Sequence, residues 1–521
     1  MGKRNRGRCQ GNAEGRQVVN LKLMLEGTVR RFGEKTAVAL GDRRLPYAEL
    51  DEASNKVANA LLGMGVSKGD RVAMLLVNSP EFVSIYFGIV KIGAIAVPLD
   101  TRYKLDELAS LFDDSRPKVL VTESPFLEPI VPALPRFKYI EQVIALSGSD
   151  EGQFVSYQEI MTTSSGQRVE VELQPDDTAQ INYTSGPTRH PRGVIMSHQC
   201  LVMEAAISGG GFQQTDKDVV VLFALPMHHA FGLIIMLLAA ILKGSTVVLV
   251  PGLSIPHLMG TIEQERVTIF MGVPFVYVLM VDMAEEGAKH DLSSLRLCGS
   301  GGSALPNEIV ERFKKHYGLG IVQFWGLTEA AAHVTCQPID GGGKLGSAGK
   351  VLPGWELKIV DDNGKELPPN QPGEIIVRGP IMKGYYNNSQ ASAEIIKQGW
   401  LYTGDIGKVD EDGYLFLLDR KKKMIIVKGQ NIYPSDIEEV LCAHPKVAGA
   451  AVVGVPDELR GEVVRAIISL KEGKTATEEE IRRFCREHMA DYKLPKQIIF
   501  VDSLPKATTG KVGGEELRGC L

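Results

Sequence analysis

Arg71-Val-Ala-Met-Leu-Leu-Val77, the stretch Ser79 to Ile92 and Ala94-Ile-Ala-Val-Pro98 follow one another with scarcely a residue between them. The first and third are short apolar runs and read as buried strands; the second has the length and apolar spacing of a helix. Strand, helix and strand in immediate succession predict parallel pairing with the helix laid over the sheet. Working outward, Leu50 to Met64 reads as an amphipathic helix, Leu105 to Phe112 as another and Val119-Leu-Val-Thr122 as a further strand. The alternation holds from Asn20 to about Asp177.

It resumes after residue 200. Helices are expected near 199–208, 230–242 and 256–265, and strands at 219–224, 246–250 and 267–271. Between 345 and 418 the texture changes to short strands with turn signals, among them Asp361-Asp-Asn-Gly364 and Glu411-Asp-Gly413, which predicts an antiparallel or barrel-like portion. The last hundred residues carry their own strands (451–455, 463–470, 498–501) and helices (435–443, 477–489), enough for a small α+β unit. The expected organisation is a disordered segment at 1–17, a large α/β domain at 18–420 and a small mobile α+β domain at 421–521.

A chain of 521 residues exceeds one hydrophobic core. A formal net charge of −5 gives no reason to expect nucleic acid or an anionic membrane surface as a partner. The longest apolar run, Ala230 to Leu242, is too short to span a bilayer and reads as a buried helix. The seven cysteines stand singly, with no CxxC pair, which argues against a disulfide scaffold or zinc site and fits the cytoplasm. The basic first 17 residues have no apolar run behind them and are not a secretory signal.

The chemistry-bearing stretches sit between these elements. Tyr183-Thr-Ser-Gly-Pro-Thr-Arg-His-Pro-Arg-Gly-Val194 joins two apolar runs and carries three hydroxyls and two arginines, donors suited to phosphate oxygens. It lacks the Walker A spacing, and by itself it reads equally as a polar surface turn. Gly299-Ser-Gly-Gly-Ser-Ala304 lets backbone approach a flat ligand. Gln323-Phe-Trp-Gly-Leu-Thr-Glu329 places an aromatic, a hydroxyl and a carboxylate together, able to stack on a base, bind phosphate and hold Mg²⁺. Asp405 can accept hydrogen bonds from ribose hydroxyls, and Arg420 can donate to them.

In this order, together with Pro226–Gly232, Asp419–Pro434 and Pro505–Lys511, these stretches resemble the adenylate-forming superfamily, and within it the AMP-forming acyl-CoA synthetases, over roughly residues 20–515. The resemblance implies ATP and coenzyme A as substrates and Mg²⁺ as cofactor. It implies a phosphate loop of Thr184, Ser185, Gly186, Thr188, Arg189 and Arg192, and His229 near the acyl carboxylate. Gly301, Gly302 and Ser303 would line the adenine and acyl site, with Phe324, Trp325 and Gly326 beside the nucleotide and Trp325 stacked on adenine. Thr328 would contact the α-phosphate and Glu329 ligate Mg²⁺; Asp405 and Arg420 would hold the ribose. Lys422 would be the hinge, Lys428 and Gly429 the face presented to the thiol, and Lys511 the catalytic lysine. The chain departs from the family pattern at Pro187 (usually threonine), Arg189 (glycine), Arg192 (lysine), Trp325 (tyrosine) and Lys428 (glycine).

The implied reaction joins a carboxylic acid to AMP, releases pyrophosphate and passes the acyl group to coenzyme A; both half-reactions are reversible. His228, His229, Phe231, Gly272 and Ala304 are expected around the acyl group, and a medium-sized or cyclic acid as substrate. An adenylating enzyme that loads a carrier protein would share these motifs. A luciferase-like oxygenase, a non-catalytic nucleotide-binding regulator and a P-loop ATPase are the other readings. Retention of Glu329, Asp405, Arg420 and Lys511 speaks against the regulator, and the missing Walker spacing against the last.

Overall fold

The computed structural model describes residues 20–146, 154–184, 192–287, 290–303, 305–420, 425–457, 459–502 and 504. Four sheets organise them. The first runs, edge to edge, through strands 350–351, 335–336, 321–325, 297–300, 269–272, 219–223, 246–250, 36–40 and 43–46; its inner strands are parallel and both edges antiparallel. The second runs through 384–385, 193–197, 178–183, 95–98, 71–75, 119–122, 142–145 and 155–156. Met74 and Pro98 are register partners, so the predicted strand–helix–strand unit is parallel. Its helix, Pro80–Lys91, starts on Ser79, whose hydroxyl accepts from the Phe82 N–H, and is apolar almost all round because it is buried between layers.

Strands 356–360, 373–378, 396–397, 400–409 and 415–420 form a third, antiparallel sheet, where turn signals predicted one. Two segments of that region go elsewhere: Gly384–Tyr385 pairs with 193–197, and Lys350–Val351 edges the first sheet. The apolar run after Ala230 opens as a π-helix, Phe231–Leu238, before the α-turn Ala239–Lys243. The fourth sheet begins at Ile425–Val427 and, with helices Pro434–Ala443 and Glu478–His488, has its own core around Ile432, Ile437, Leu441, Ala466 and Ile481.

Cys200, Cys298, Cys336 and Cys485 are buried free thiols, and Cys442 is exposed. Burial pushes Cys298, Cys336 and Cys485 up to about 12 and Cys200 still higher. Among the described residues no helix is long and apolar enough to cross a membrane.

Candidate active site

The parallel strands of both large sheets end toward one cavity of about 320 Å³. Ala224, Leu225 and Pro226 follow strand 219–223, Val273 follows 269–272, Gly302 follows 297–300 and Asp100 follows 95–98, and all line it. This is where open α/β sheets carry ligands, since loops leaving neighbouring strand ends splay apart there.

One wall is the turn after strand 321–325. Gly326 is required there, because a Cβ would lie 2.0 Å from the Ala332 carbonyl oxygen. The turn carries Thr328 and Glu329 onto the cavity wall. Tyr385, from the edge of the other large sheet, donates its hydroxyl to Glu329 Oε1 at 2.7 Å. Burial, with the Glu329 charge beside it, pushes that phenol far above the tyrosine range, so it stays a donor.

Asp405, 6% exposed, lies in strand Trp400–Val409, and the Trp325 indole N–H donates to its Oδ2 at 3.0 Å. Arg420 is its register partner on the neighbouring strand. On the opposite side burial pushes the Asp100 carboxyl up, but His228 and Arg102 more than offset this and hold it well below the usual carboxylate range. Burial, with His228 adjacent, pushes His229 down to about 4, so it is neutral at ordinary pH. Phe231, Ile235, Val273, Val276, Phe324 and Ala332 give the remaining wall an apolar, uncharged character. The ring of Phe324 packs edge-on against Phe231, 5.2 Å between centroids, in space left free because residue 301 is glycine.

The cavity is closed by the small domain. Strands Ile425–Val427 and Gln430–Ile432 form a hairpin whose two-residue loop is Lys428 and Gly429, at φ 51° and 78°. That pair of positive φ values suits a tight two-residue hairpin loop and favours glycine. A Cβ on Gly429 would meet Val273 at 2.6 Å, and one on Gly302 would come within 3.7 Å of the Gly429 backbone. The hairpin tip therefore sits inside the cavity mouth. Lys428 Nζ lies 4.3 Å from the centre of the Phe275 ring, and Arg192 lies over Tyr433 at 5.0 Å.

Of the residues read from the sequence, the cavity brings together Arg192, His229, Gly302, Phe324, Gly326, Thr328, Glu329, Asp405, Lys428 and Gly429, with His228 and Phe231. Thr184, Gly301, Ser303, Trp325 and Gly272 stand behind or beside the wall; Trp325 reaches it through Asp405. Residues 1–17, Ser185, Gly186, Pro187, Thr188, Arg189, Ala304, Lys422 and Lys511, and the side chain of Arg420, lie outside the described residues. The motifs did not announce Asp100, Arg102, Tyr385, Gln430 or Tyr492 on the wall. An Asp-x-Arg-Tyr run just past the strand ending at Pro98 was the signal available for the first two.

Residues 25–386 match the AMP-binding enzyme family, and residues 436–511 match the AMP-binding enzyme C-terminal domain. The chain is 36% identical to the indoleacetate–CoA ligase of Aromatoleum aromaticum over 93% of its own length and 94% of that protein. It is similar to a double mutant of o-succinylbenzoate CoA synthetase from Bacillus subtilis bound with a product analogue, OSB-NCoA: TM-score 0.85, 32% identity, 96% of this chain and 98% of that one. ATP-bound MatB from Rhodopseudomonas palustris, 30% identical over 96% of this chain and 98% of its own, superposes with a TM-score of 0.72.

Proposed function

This chain belongs to the AMP-binding enzyme family, is an AMP-forming acid–thiol ligase of the acyl-CoA synthetase branch, and we propose that the cavity described above serves both half-reactions. The observation that carries the proposal is the hairpin tip at Lys428 and Gly429. It closes on Gly302 in the same cavity that holds Thr328, Glu329 and Asp405. A second domain inserted into a nucleotide site is what a two-step enzyme needs when a bulky thiol must reach an adenylate that stays bound.

In the first step the substrate carboxylate attacks the α-phosphorus of ATP, the bond to pyrophosphate breaks, and the acid acquires AMP as a leaving group. No side chain acts as nucleophile, so the enzyme's task is positioning and charge stabilisation. Asp405 would accept from the ribose hydroxyls, held in place by Trp325. Thr328 and Arg192 would donate to phosphate oxygens, and neutral His229 would donate to the acid without adding a charge to the apolar wall. Lys511 would bring a cation to the carboxylate and phosphate together, as the family motif Pro505–Lys511 implies. Magnesium fits the donor set, because Glu329 is a hard carboxylate donor on the same wall as Thr328 and would hold the ion beside the phosphate oxygens. When bound, the ion would neutralise charge on those oxygens.

In the second step the coenzyme A thiolate attacks the acyl carbon and AMP leaves. We read the orientation described here as the one for this step. The seated hairpin supports that reading, as does the closer superposition on the neighbour bound with OSB-NCoA than on ATP-bound MatB at similar identity.

The acid is proposed to be compact and uncharged beyond its carboxylate. The wall formed by Phe231, Ile235, Val273, Val276, Phe324 and Ala332 carries no charged side chain, and the Phe231–Phe324 contact shortens the space beside it. A panel of aryl, short aliphatic, dicarboxylic and long-chain acids, followed by pyrophosphate release and acyl-CoA formation, tests both parts. The expected result is turnover with aryl or compact acids, dependent on coenzyme A for thioester. Preference for dicarboxylic or long-chain acids would overturn the substrate class, and transfer only to a carrier protein would overturn the acceptor.

A further inference from the structure

The loop and helix start that follow strand Ile95–Pro98 grip the small domain at two points, one on the cavity wall and one, the Glu107–Lys493 pair, off it. Helix Leu105–Ser115 carries Glu107 in its first turn. Glu107 Oε1 accepts from Lys493 Nζ of the small domain at 2.6 Å, and both side chains are under 5% exposed. Glu107 Oε2 accepts from the Ala490 N–H at 2.9 Å and from the Lys104 N–H at 3.1 Å. Two residues upstream of Lys104, Arg102 stacks over Tyr492 at 4.5 Å and donates to Gln430, beside the hairpin tip, at 3.3 Å. One short segment of the large domain thus holds both parts of the small domain that touch the cavity mouth.

We propose that Glu107 and Lys493 are positioning residues that select the domain orientation used for thioester formation. The proposal rests on reading the present orientation as the thioester-forming one. The argument is about specificity of orientation. A buried ion pair adds little net stability over two solvated charges, but a lone buried charge is heavily penalised. Apolar contacts tolerate sliding, whereas this pair is satisfied in one arrangement only. A turn of the small domain about an axis away from this pair lifts Gly429 from Gly302 and parts Lys493 from Glu107 together, since both contacts are made by that one domain. A partly turned domain leaves an unpaired charge at a closed interface, and the two end orientations become sharply distinct.

Glu107→Gln, Lys493→Met and the double variant separate this role from a structural one. Each single variant leaves an unbalanced group in the interface, so thioester formation from supplied acyl-AMP and coenzyme A should fall about tenfold or more. Adenylation, followed by pyrophosphate–ATP exchange, should hold or rise, because the opposing orientation no longer has to break the pair. The double variant removes both charges and should be faster in thioester formation than the product of the single losses predicts. Lys493→Met keeps the test open if Glu107→Gln perturbs the helix start. Small-angle scattering reads orientation without chemistry, and both single variants should depart from wild type. That readout also separates the two readings: a wild type that forms no thioester overturns the assignment of the site, while the scattering still judges the pair. Equal losses in both half-reactions, an unchanged thioester step, additive losses in the double variant, or superimposable scattering would overturn the proposal.

Discussion

The indole N–H of Trp325 donates to Asp405 Oδ2 at 3.0 Å across eighty residues of sequence. Trp325 ends an inner strand of the first sheet and Asp405 lies in the third, so one hydrogen bond ties two sheets at the cavity wall. The carboxylate is therefore aimed before any nucleotide arrives. Replacing Trp325 with Phe keeps an aromatic ring and removes the donor. A hydrogen bond to a charged group contributes about 1.5–3 kcal/mol, so AMP and ATP affinity should fall roughly tenfold or more. Calorimetric titration checks this; wild-type affinity in Trp325→Phe would show that the indole does not position the carboxylate.

Lys511→Ala should slow adenylation strongly while sparing thioester formation from supplied acyl-AMP. One electrostatic donor of this type contributes about 3–4 kcal/mol to a transition state. Pyrophosphate release and thioester formation, measured separately, test the split. Equal rates of adenylation in variant and wild type would remove Lys511 from the chemistry.

The Tyr385 hydroxyl fixes one oxygen of Glu329. Partners that orient a metal-binding carboxylate typically alter metal affinity about 10–100-fold when lost. Tyr385→Phe should raise the Mg²⁺ concentration needed for half-maximal pyrophosphate release by at least about tenfold, at the lower end of that range. An unchanged Mg²⁺ titration would mean that Glu329 does not meet the ion through this geometry.

Burial pushes His198 and His229 down to about 4 and His333 to about 3. Between pH 6.5 and 4 the unfolded chain therefore binds protons at these residues that the folded chain refuses, and stability falls with pH. Each refused proton costs about 1.4 kcal/mol per pH unit at most. Glu204, whose carboxyl burial pushes well above its usual range, works the other way, so these four groups together should give a slope of at most about 3 kcal/mol per pH unit. Denaturant melts at pH 6.5, 5.5 and 5.0 read it directly, and a flat profile would mean that these imidazoles are solvated on folding.

Much of the fold was legible because its strands are short, apolar and separated by helices with clear periodicity. Val119–Thr122 falls where the sequence puts it. Failures came where the signal is non-local. Gly384–Tyr385 leaves its antiparallel neighbours to pair with 193–197, and no local pattern announces a partner nearly two hundred residues away. The run after Ala230 is apolar on every side, so periodicity could not reveal that its first eight residues wind as a π-helix. In the site, Thr328, Glu329 and Asp405 were readable because each sits in a compact motif. Asp100, Tyr385 and Gln430 were not, since strand order alone brings them to one wall. The Trp325 ring, expected against adenine, also holds Asp405 by its edge, a contact no motif announced.

The four buried thiols bear on what the enzyme can safely make. An acyl-adenylate is a mixed anhydride and acylates any thiolate it meets. With ionisation pushed to about 12 for Cys298, Cys336 and Cys485, and higher for Cys200, these residues stay protonated and poorly nucleophilic near neutral pH. Among the described residues none of the cavity wall is cysteine. The four buried thiols thus give the intermediate no ready thiolate, and among the described residues the exposed Cys442 lies off the cavity wall, so the incoming substrate thiol meets no competitor on that wall.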